Sequence, residues 1–398
     1  MTGLLSSADL PMFMADGHRL LGDELAAKIT GSDERLQNPS DVGGRLAELG
    51  LFDLLLPTGD GGRKIRADDG RQAIDVRALC LVREALAYCS PLADSVFAVQ
   101  GLGSHPLVLV PSFPGRSELL GQVRRGETIG GFALTEPEAG SDVASMQTRA
   151  RRDGAEWVLD GEKTFISNVG IAHHFIVFAK VTDASPDAGK RTISAFFVRA
   201  TSPGLALEPI ATSGDHPLGR LVMSGCRIPV SALIGEVGQG LRLALGTLDI
   251  FRTSVGAAAV GMARRALDDT CARVKARVQF GKRLADQQLT QAALADMATD
   301  LDASRLLVYR AAWLKDHGHK AATEVAMAKL YATEAAQRVI DRAVQLHGGL
   351  GVTSGAFVER LYREVRPLRI YEGTSEIQRL IIGGALVSDA TEGGGGAA

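Results

Sequence analysis

One carboxylate near the end of the chain has the setting of a general base. Glu372 lies in the stretch RIYEGTSEIQRL, between Tyr371 and Gly373, on a turn that follows an apolar run. A carboxylate held against apolar neighbours loses hydration, and its pKa rises. Such a group can remove a proton from carbon near neutral pH. The structural alternative is that Thr374 or Ser375 caps the next helix and Glu372 is merely exposed before it.

Two earlier segments carry groups suited to a flat polar ring. In GGFALTEPEAGSDVAS, backbone amides near Gly140 and the hydroxyls of Thr135 and Ser141 could hydrogen-bond a heterocycle or a phosphate. In GEKTFISNVG, Phe165 and Ser167 share one side of a strand and could cover such a ring. A turn-rich connection and a half-buried strand are the structural alternatives.

Basic residues and histidines give weaker signals. The stretch ARVQFGKRLADQQ places Arg277 and two further basic residues around Phe280. Arginine suits phosphate because its planar fork is always charged, although solvated cations at a helix end have the same appearance. His317 and His319 have no cysteine or carboxylate framework around them, which predicts a solvated loop and no metal site.

Composition limits the class of protein. The chain has 398 residues, of which 45% are hydrophobic and 23% charged, as expected of a globular protein with two or three domains. A net charge of −2 predicts neither nucleic-acid binding nor a polybasic membrane patch. Four scattered cysteines favour reduced thiols over a disulfide framework. With no basic leader and no apolar run near ~20 residues, we expect a cytoplasmic protein without a membrane segment.

The pattern along the chain changes twice. Residues 1–125 are predicted to form a helical domain, 126–235 an antiparallel β domain, and 236–388 a bundle of long helices. Residues 389–398, TEGGGGAA at their end, are expected to form a disordered tail. Asp160-Gly161, between two strand-like runs, predicts a hairpin. Strands and helices do not alternate, and no GxGxxG turn occurs, which argues against a doubly wound nucleotide-binding fold.

Five segments in order resemble the signatures of the acyl-CoA dehydrogenase family. They are ALTEPEAGSD, GEKTFISN, RVQFGKRLADQQ, QLHGGLGVT and RIYEGTSEIQR, and the resemblance covers nearly the whole chain. It implies a mainly α fold with an N-terminal helical domain, a middle antiparallel β-barrel-like domain and a C-terminal four-helix bundle. It also implies FAD-dependent oxidation of an acyl-CoA to the trans-2-enoyl-CoA. A base removes the α-proton in this family, and the β-hydrogen leaves as hydride to flavin N5.

The resemblance assigns roles residue by residue. It implies that Glu372 is the base, and that the backbone N–H of Glu372 and a flavin hydroxyl hold the thioester carbonyl. Some members carry the base on a bundle helix, where this chain has Phe251. Phe165 stands where the family often has Trp. The implied FAD-binding residues are Phe132, Leu134, Thr135, Gly140, Ser141, Phe165, Ile166, Ser167, Arg277, Phe280, Gln345, Gly349, Thr374 and Glu376. The implied substrate-binding residues are Ser141, Asp249, Arg252, Tyr371 and Gly373.

The same resemblance implies partners and leaves alternatives open. FAD held across a subunit contact implies a homo-oligomer, a tetramer rather than a dimer, with an electron-transferring flavoprotein as oxidant of the reduced enzyme. The same reaction on an acyl-carrier-protein thioester is one alternative, although the sequence shows no basic bias for an acidic carrier. A flavin oxidase or monooxygenase of the same fold, and a binding scaffold without activity, are others. Glu372 argues against both.

Overall fold

The computed structural model describes residues 10–66, 73–182 and 192–392. The chain divides into two compact units, each assembled from segments that are distant in sequence. Of the described residues, the helical unit contains 10–31, 76–91 and 252–392, and the sheet unit contains 32–66, 73–75, 92–182 and 192–251.

Ten α-helices occur in the described residues. They are α1 (Asp16–Lys28), α2 (Val42–Glu48), α3 (Val76–Cys89), α4 (Pro91–Val108), α5 (Arg116–Arg124), α6 (Gly240–Ala276), α7 (Gln288–Asp316), α8 (Ala322–His347), α9 (Phe357–Val365) and α10 (Ser375–Glu392). Helix α10 includes the first residues of the segment expected to be a disordered tail. Residues 393–398 of that segment lie outside the described residues.

The strands lie between α5 and α6, apart from one short ribbon. They are β1 (Gly130–Ala133), β2 (Arg149–Asp153), β3 (Glu156–Ser167), β4 (His174–Val181), β5 (Ile193–Arg199), β6 (Leu205–Pro209), β7 (Leu218–Pro229) and β8 (Leu233–Ile234). The ribbon consists of β9 (Val278–Gln279) and β10 (Lys282–Arg283) in the helical unit.

The main sheet is mixed, which corrects the expected antiparallel domain. Its strand order is β6-β7-β3-β2-β4-β5-β8, and β1 pairs with β4 beside this path. Strand β4 pairs in parallel with both β1 and β2, and the remaining pairings are antiparallel. Parallel partners require a long return of the chain, and residues 134–173 between β1 and β4 provide it.

The predicted hairpin at Asp160-Gly161 is wrong. Strand β3 continues through both residues, and a register shift against β7 lies at Gly161. A Cβ added at Gly161 would lie 2.7 Å from Thr148, so glycine here permits a close approach of the backbone. The chain reverses earlier, at Gly154, which has φ 59° and leads from β2 into β3.

The long helices of the helical unit approach one another at a small residue. A Cβ added at Gly256 of α6 would lie 2.7 Å from Val308 of α7 and 3.4 Å from the carbonyl oxygen of Ala328 in α8. Glycine therefore lets the three backbones pack at short range. Buried residues of α7 recur at spacings of three and four, as in Met297, Leu301 and Ser304.

The cysteines agree with the expectation of reduced thiols. All four cysteines are free, three are buried, and Cys271 is partly buried.

Helix α6 has an 18-residue window of mean hydropathy 1.3, so by length and composition it is long and apolar enough to cross a membrane. Asp249 and Arg252 interrupt the apolar residues of α6, so the expectation that the chain has no uninterrupted apolar run near ~20 residues is not contradicted. Because 67% of the window is buried inside the protein, the helix also fits the description of a core helix.

Candidate active site

Glu372 lies on a left-handed turn just before α10. Its φ is 53° and that of Gly373 is 92°. Only glycine adopts such angles without cost, so a glutamate held there is strained. The side chain of Glu372 is partly buried. Strain of this kind persists only where the surroundings fix the backbone.

Two cationic side chains fix this turn through its carbonyl oxygens. The Arg252 Nε donates to the carbonyl oxygen of Glu372 at 2.9 Å. The carbonyl oxygen of Gly373 accepts from Lys329 Nζ at 2.7 Å and from Gln378 Nε2 at 2.8 Å. Hydrogen bonds from charged donors are about twice as strong as neutral ones. The peptide groups on both sides of Gly373 are therefore held.

Lys329 is a fully buried cation on α8, beneath the turn. Its pKa is lowered to about 8, chiefly by burial and also by the Arg252 guanidinium. The carboxylates of Glu372, Glu334 and Glu376 act in the opposite direction. A lysine in such an environment is balanced between its charged and neutral forms near physiological pH.

The first turn of α10 is tied to α8 as well. The hydroxyl oxygen of Thr374 accepts from the backbone N–H of Ile377 at 3.3 Å, as an N-cap does. Ser375 Oγ donates to Glu334 Oε1 at 2.6 Å, and Arg369 Nη2 lies 2.7 Å from Glu334 Oε2. Burial raises the pKa of Glu334, but these donors outweigh it and the pKa is lowered. The exposed Glu376 follows in the first helical turn.

A second group of predicted residues in the helical unit is exposed. Phe280 and Gly281, with φ 52° and 74°, form the two-residue turn between β9 and β10. The Phe280 side chain is 98% exposed, and Arg277 just before the ribbon is also exposed. Gln345 lies in the last turn of α8 and Gly349 just beyond it, both exposed. The Phe280 ring, the Arg277 guanidinium and the Gln345 amide are therefore exposed on the surface of the helical unit.

His347, next to this group, has a structural role. It is buried, and its Nδ1 lies 2.8 Å from the carbonyl oxygen of Ala343 one turn earlier. His317 stacks on Trp313 with ring centroids 4.0 Å apart and is exposed.

In the sheet unit, the segment after β1 is held by a buried ion pair. Lys163 Nζ on β3 donates to Glu136 Oε1 at 2.8 Å and to the carbonyl oxygen of Leu134 at 3.0 Å. Glu136 also accepts from the backbone N–H groups of Gln147 and Thr148. Burial lowers the pKa of Lys163 to about 8, although the Glu136 carboxylate opposes this shift.

The residues predicted to face a ring differ in exposure. Leu134 is buried, and Phe132 and Thr135 are partly buried. Gly140 and Ser141 follow the turn at 136–139 and are exposed. The backbone N–H of Thr164 donates to the carbonyl oxygen of Thr135 at 3.0 Å, which joins this segment to β3.

Phe165, further along β3, presents an aromatic face. Its side chain is 63% exposed and its φ is 55°, where the pairing of β3 with β7 shifts register. Ser167 is partly buried, whereas Ile166 between them is buried in the sheet core. The positive φ of Phe165 and the register shift interrupt the strand alternation from which Phe165 and Ser167 were predicted to share one side.

Helix α6 carries the last predicted residues. Asp249 is partly buried, and Phe251 is fully buried in the sheet unit, where its ring lies edge-on to His105 at 5.8 Å. A Cβ added at Gly101 would lie 2.2 Å from Phe251, so this ring occupies a tight space. The position that the resemblance gives as the alternative base site is thus occupied by a packed aromatic.

Sequence reasoning missed the two buried lysines. Lys329 lies four residues after Val325 and three before Ala332, which puts it on the buried apolar face of α8. A cation at such a position requires a buried partner. That spacing was the available signal. For Lys163, strand alternation alone gives a weaker one, because β3 contains register shifts.

The chain matches two family models. Residues 131–226 match the acyl-CoA dehydrogenase middle domain, and residues 238–387 match the acyl-CoA dehydrogenase C-terminal domain. Together the matches cover more than half of the chain.

Similar whole proteins and solved structures agree with these matches. A probable acyl-CoA dehydrogenase of Bacillus subtilis is 38% identical, over 90% of this chain and 93% of that protein. A caffeyl-CoA reductase–Etf complex subunit of Acetobacterium woodii is 36% identical, over 92% and 94%. The structure of butyryl-CoA dehydrogenase from Megasphaera elsdenii superposes with a TM-score of 0.85 at 32% identity, covering 94% of this chain and 99% of that one. An acyl-CoA dehydrogenase from Bacillus anthracis, solved with FAD, gives 0.84 at 28% identity, covering 96% and 69%.

Proposed function

The chain belongs to the acyl-CoA dehydrogenase family, and from this membership we propose that it converts an acyl-CoA to the trans-2-enoyl-CoA with Glu372 as the base. The predicted fold class is confirmed, with a mixed central sheet and C-terminal helices. The protein is an oxidoreductase with FAD as its cofactor. The substrate, the base and the mechanism are the proposal.

The proposal rests on the turn at Glu372, whose carbonyl oxygens accept hydrogen bonds from two cationic side chains. Arg252 and Lys329 hold the carbonyl oxygens of Glu372 and Gly373, and they keep a strained backbone in one conformation. A base aligned in advance loses little entropy when it meets a C–H bond.

In the proposed reaction, a carboxylate oxygen of Glu372 takes the α-proton, and the backbone N–H of Glu372 donates to the thioester carbonyl. Negative charge develops on that carbonyl oxygen in the transition state, so a donor fixed there lowers the barrier. FAD, when bound, accepts the β-hydrogen as hydride. Proton and hydride together account for the two hydrogens that the acyl chain loses.

The residues present fit FAD. Phe165 offers an exposed aromatic face, and Ser167 and Thr135 offer hydroxyls that match the apolar faces and polar edges of a flavin. We assign the remaining FAD contacts to Phe132, Leu134, Gly140, Ser141, Ile166, Thr374 and Glu376. The exposed Phe280, Arg277, Gln345 and Gly349 suit an adenine and a pyrophosphate.

The partners follow from the same family membership. We infer that Ser141, Asp249, Arg252, Tyr371 and Gly373 contact the acyl-CoA. An electron-transferring flavoprotein reoxidises the enzyme in this proposal, as the name of the Acetobacterium woodii relative suggests. The 98% exposure of Phe280 supports a homo-oligomer, since a second subunit would cover this ring. We propose a cytoplasmic tetramer.

An anaerobic titration tests the activity. The purified FAD-loaded protein is mixed with straight-chain, branched, aromatic and cyclic acyl-CoAs, and loss of the flavin's visible absorbance is followed. One class is expected to bleach the flavin. Glu372→Gln keeps the shape of the side chain but cannot accept the proton, so bleaching should slow by at least about 10²-fold with FAD still bound.

The outcomes separate the alternatives. Bleaching at the normal rate in Glu372→Gln would remove Glu372 as the base. Bleaching by acyl-carrier-protein thioesters, with none by any acyl-CoA, would establish the carrier-protein reaction. Rapid reaction of the reduced protein with oxygen in place of the electron-transferring flavoprotein would indicate an oxidase.

A further inference from the structure

Lys329 is one of the two cations that hold the turn at Glu372, and it is the one that is fully buried. Lys329 is fully buried on α8, where the other buried residues are mainly alanine, valine and isoleucine, together with Thr333 and His347. Burying an ammonium is costly unless charged or polar groups compensate. Lys329 donates at 2.7 Å to a carbonyl oxygen, that of Gly373, the residue after Glu372.

We propose that Lys329 is a positioning residue for proton abstraction, which holds the carbonyl oxygen of Gly373 and so fixes the turn that carries Glu372. The inference rests on the proposed function, because it takes Glu372 as the base. Arg252 holds the preceding carbonyl, so the two cations immobilise consecutive peptide groups. Removing either one frees a left-handed turn that a glutamate does not adopt on its own.

Gln378 does not replace Lys329 in this role. Its Nε2 reaches the same oxygen at 2.8 Å, but it is a neutral donor from α10, the helix that the turn itself begins. Lys329 lies 44 positions before Gly373 in the chain, and it belongs to a different helix, α8. It therefore anchors the turn to α8, whereas Gln378 moves with the turn.

The charge of Lys329 depends on groups from every element around the turn. Arg252 of α6 favours the neutral form, and Glu372 of the turn, Glu334 of α8 and Glu376 of α10 favour the ammonium. With a pKa of about 8, Lys329 loses its charge as the pH rises above that value. The neutral amine still donates, but a neutral hydrogen bond is about half as strong as a charged one. We expect the turn to loosen at alkaline pH.

Kinetics of three variants test the proposal. Lys329→Met removes the donor, Lys329→Arg keeps a cation at all accessible pH, and Thr333→Val is a matched control. Thr333 is buried one turn after Lys329 on the same helix, and its hydroxyl donates to the backbone carbonyl oxygens of Lys329 and Leu330 without contacting the Lys329 ammonium group. Lys329→Met should lower kcat by roughly 10- to 100-fold with KM little changed, because a displacement of about 1 Å can cost about 10²-fold in rate. The α-deuterium isotope effect on kcat should rise.

The pH dependence distinguishes positioning from packing. Wild-type kcat should fall as the pH rises through about 8, the pKa of Lys329, and Lys329→Arg should lack this fall. Lys163 also has a pKa of about 8, but a fall in kcat caused by its titration would remain in Lys329→Arg. An alkaline fall that persists unchanged in Lys329→Arg would overturn the assignment to Lys329.

Hydrogen exchange tests the anchoring without turnover. Amides of residues 374–378 should exchange several-fold faster in FAD-loaded Lys329→Met than in wild type or Thr333→Val. Wild-type exchange together with wild-type kcat in Lys329→Met would overturn the proposal. If no thioester reduces the wild-type flavin, the proposed function fails, and the exchange rates still decide whether Lys329 holds the turn.

Discussion

At the scale of single residues, the candidate base depends on backbone geometry that its own side chain disfavours. Glu372 and Gly373 are consecutive residues with positive φ, and only the second is a glycine. A left-handed glutamate costs of order 1 kcal/mol. The hydrogen bonds to both carbonyls offset that cost. The structure therefore places the strain at the residue proposed to do the chemistry.

Gly373→Ala should disrupt this turn. The φ of 92° disfavours any side chain, and the added Cβ would lie 2.7 Å from Gln378 Nε2. We expect kcat to fall at least about tenfold and the free energy of unfolding to drop by about 1–2 kcal/mol. Gly383→Ala on α10 is the control, because its Cβ would meet nothing within 4 Å. Equal kcat values in the two variants would show that the geometry at Gly373 does not matter.

At the scale of elements, the buried pair of Lys163 and Glu136 joins β3 to the segment after β1. Lys163→Met would leave Glu136 buried beside apolar groups, which costs about 3 kcal/mol in comparable pairs. We expect a lower Tm and weaker FAD binding. Adding Glu136→Gln should recover part of the loss, because it removes the unpaired charge and its single amide oxygen can keep one of the two backbone hydrogen bonds. Thermal melts and FAD titration of the single and double variants measure both effects.

Local sequence patterns predicted the elements better than their connections. The order of helices, strands and helices follows from hydrophobic periodicity, which each segment carries within itself. The Asp160-Gly161 hairpin failed because the same dipeptide also suits a register shift inside a strand. The parallel pairing of β4 depends on residues far apart in sequence, and no local pattern encodes it.

The candidate site shows the same limit. The flanking residues of Glu372 predicted a base there, and strand alternation predicted Phe165 and Ser167 on one side, although the positive φ of Phe165 interrupts that alternation. The cations that hold the turn come from helices that begin more than 40 residues before it. Their contacts depend on how the helices pack, which the sequence alone did not determine. Lys329 was visible only as a lysine on an apolar helix face.

At the scale of the whole molecule, each compact unit contains one of the two tryptophans. Trp157 is buried in the sheet unit, and Trp313 lies on α7 of the helical unit. A Trp313→Phe variant therefore reports on the sheet unit through Trp157 alone. The unfolding of one unit can be followed in this way without the signal of the other.

The sheet unit should lose stability in mild acid because it buries neutral histidines. Burial lowers the pKa of both His105 and His174 to about 4. Below about pH 6.5 the unfolded chain takes up protons that the folded unit does not, so stability falls with pH until about pH 4. Each histidine contributes roughly 3 kcal/mol to this loss.

Urea titrations of Trp313→Phe between pH 7 and 4.5, read by Trp157 fluorescence, measure this dependence. His105→Gln in the same background should flatten it. His105 contacts Thr247 at 3.1 Å, and glutamine can keep that hydrogen bond without a titrating ring. The baseline stability of the variant is expected to be lower, so the slope against pH is the quantity to compare. An unchanged slope in His105→Gln would mean that His105 takes up its proton as readily in the folded unit as in the unfolded chain.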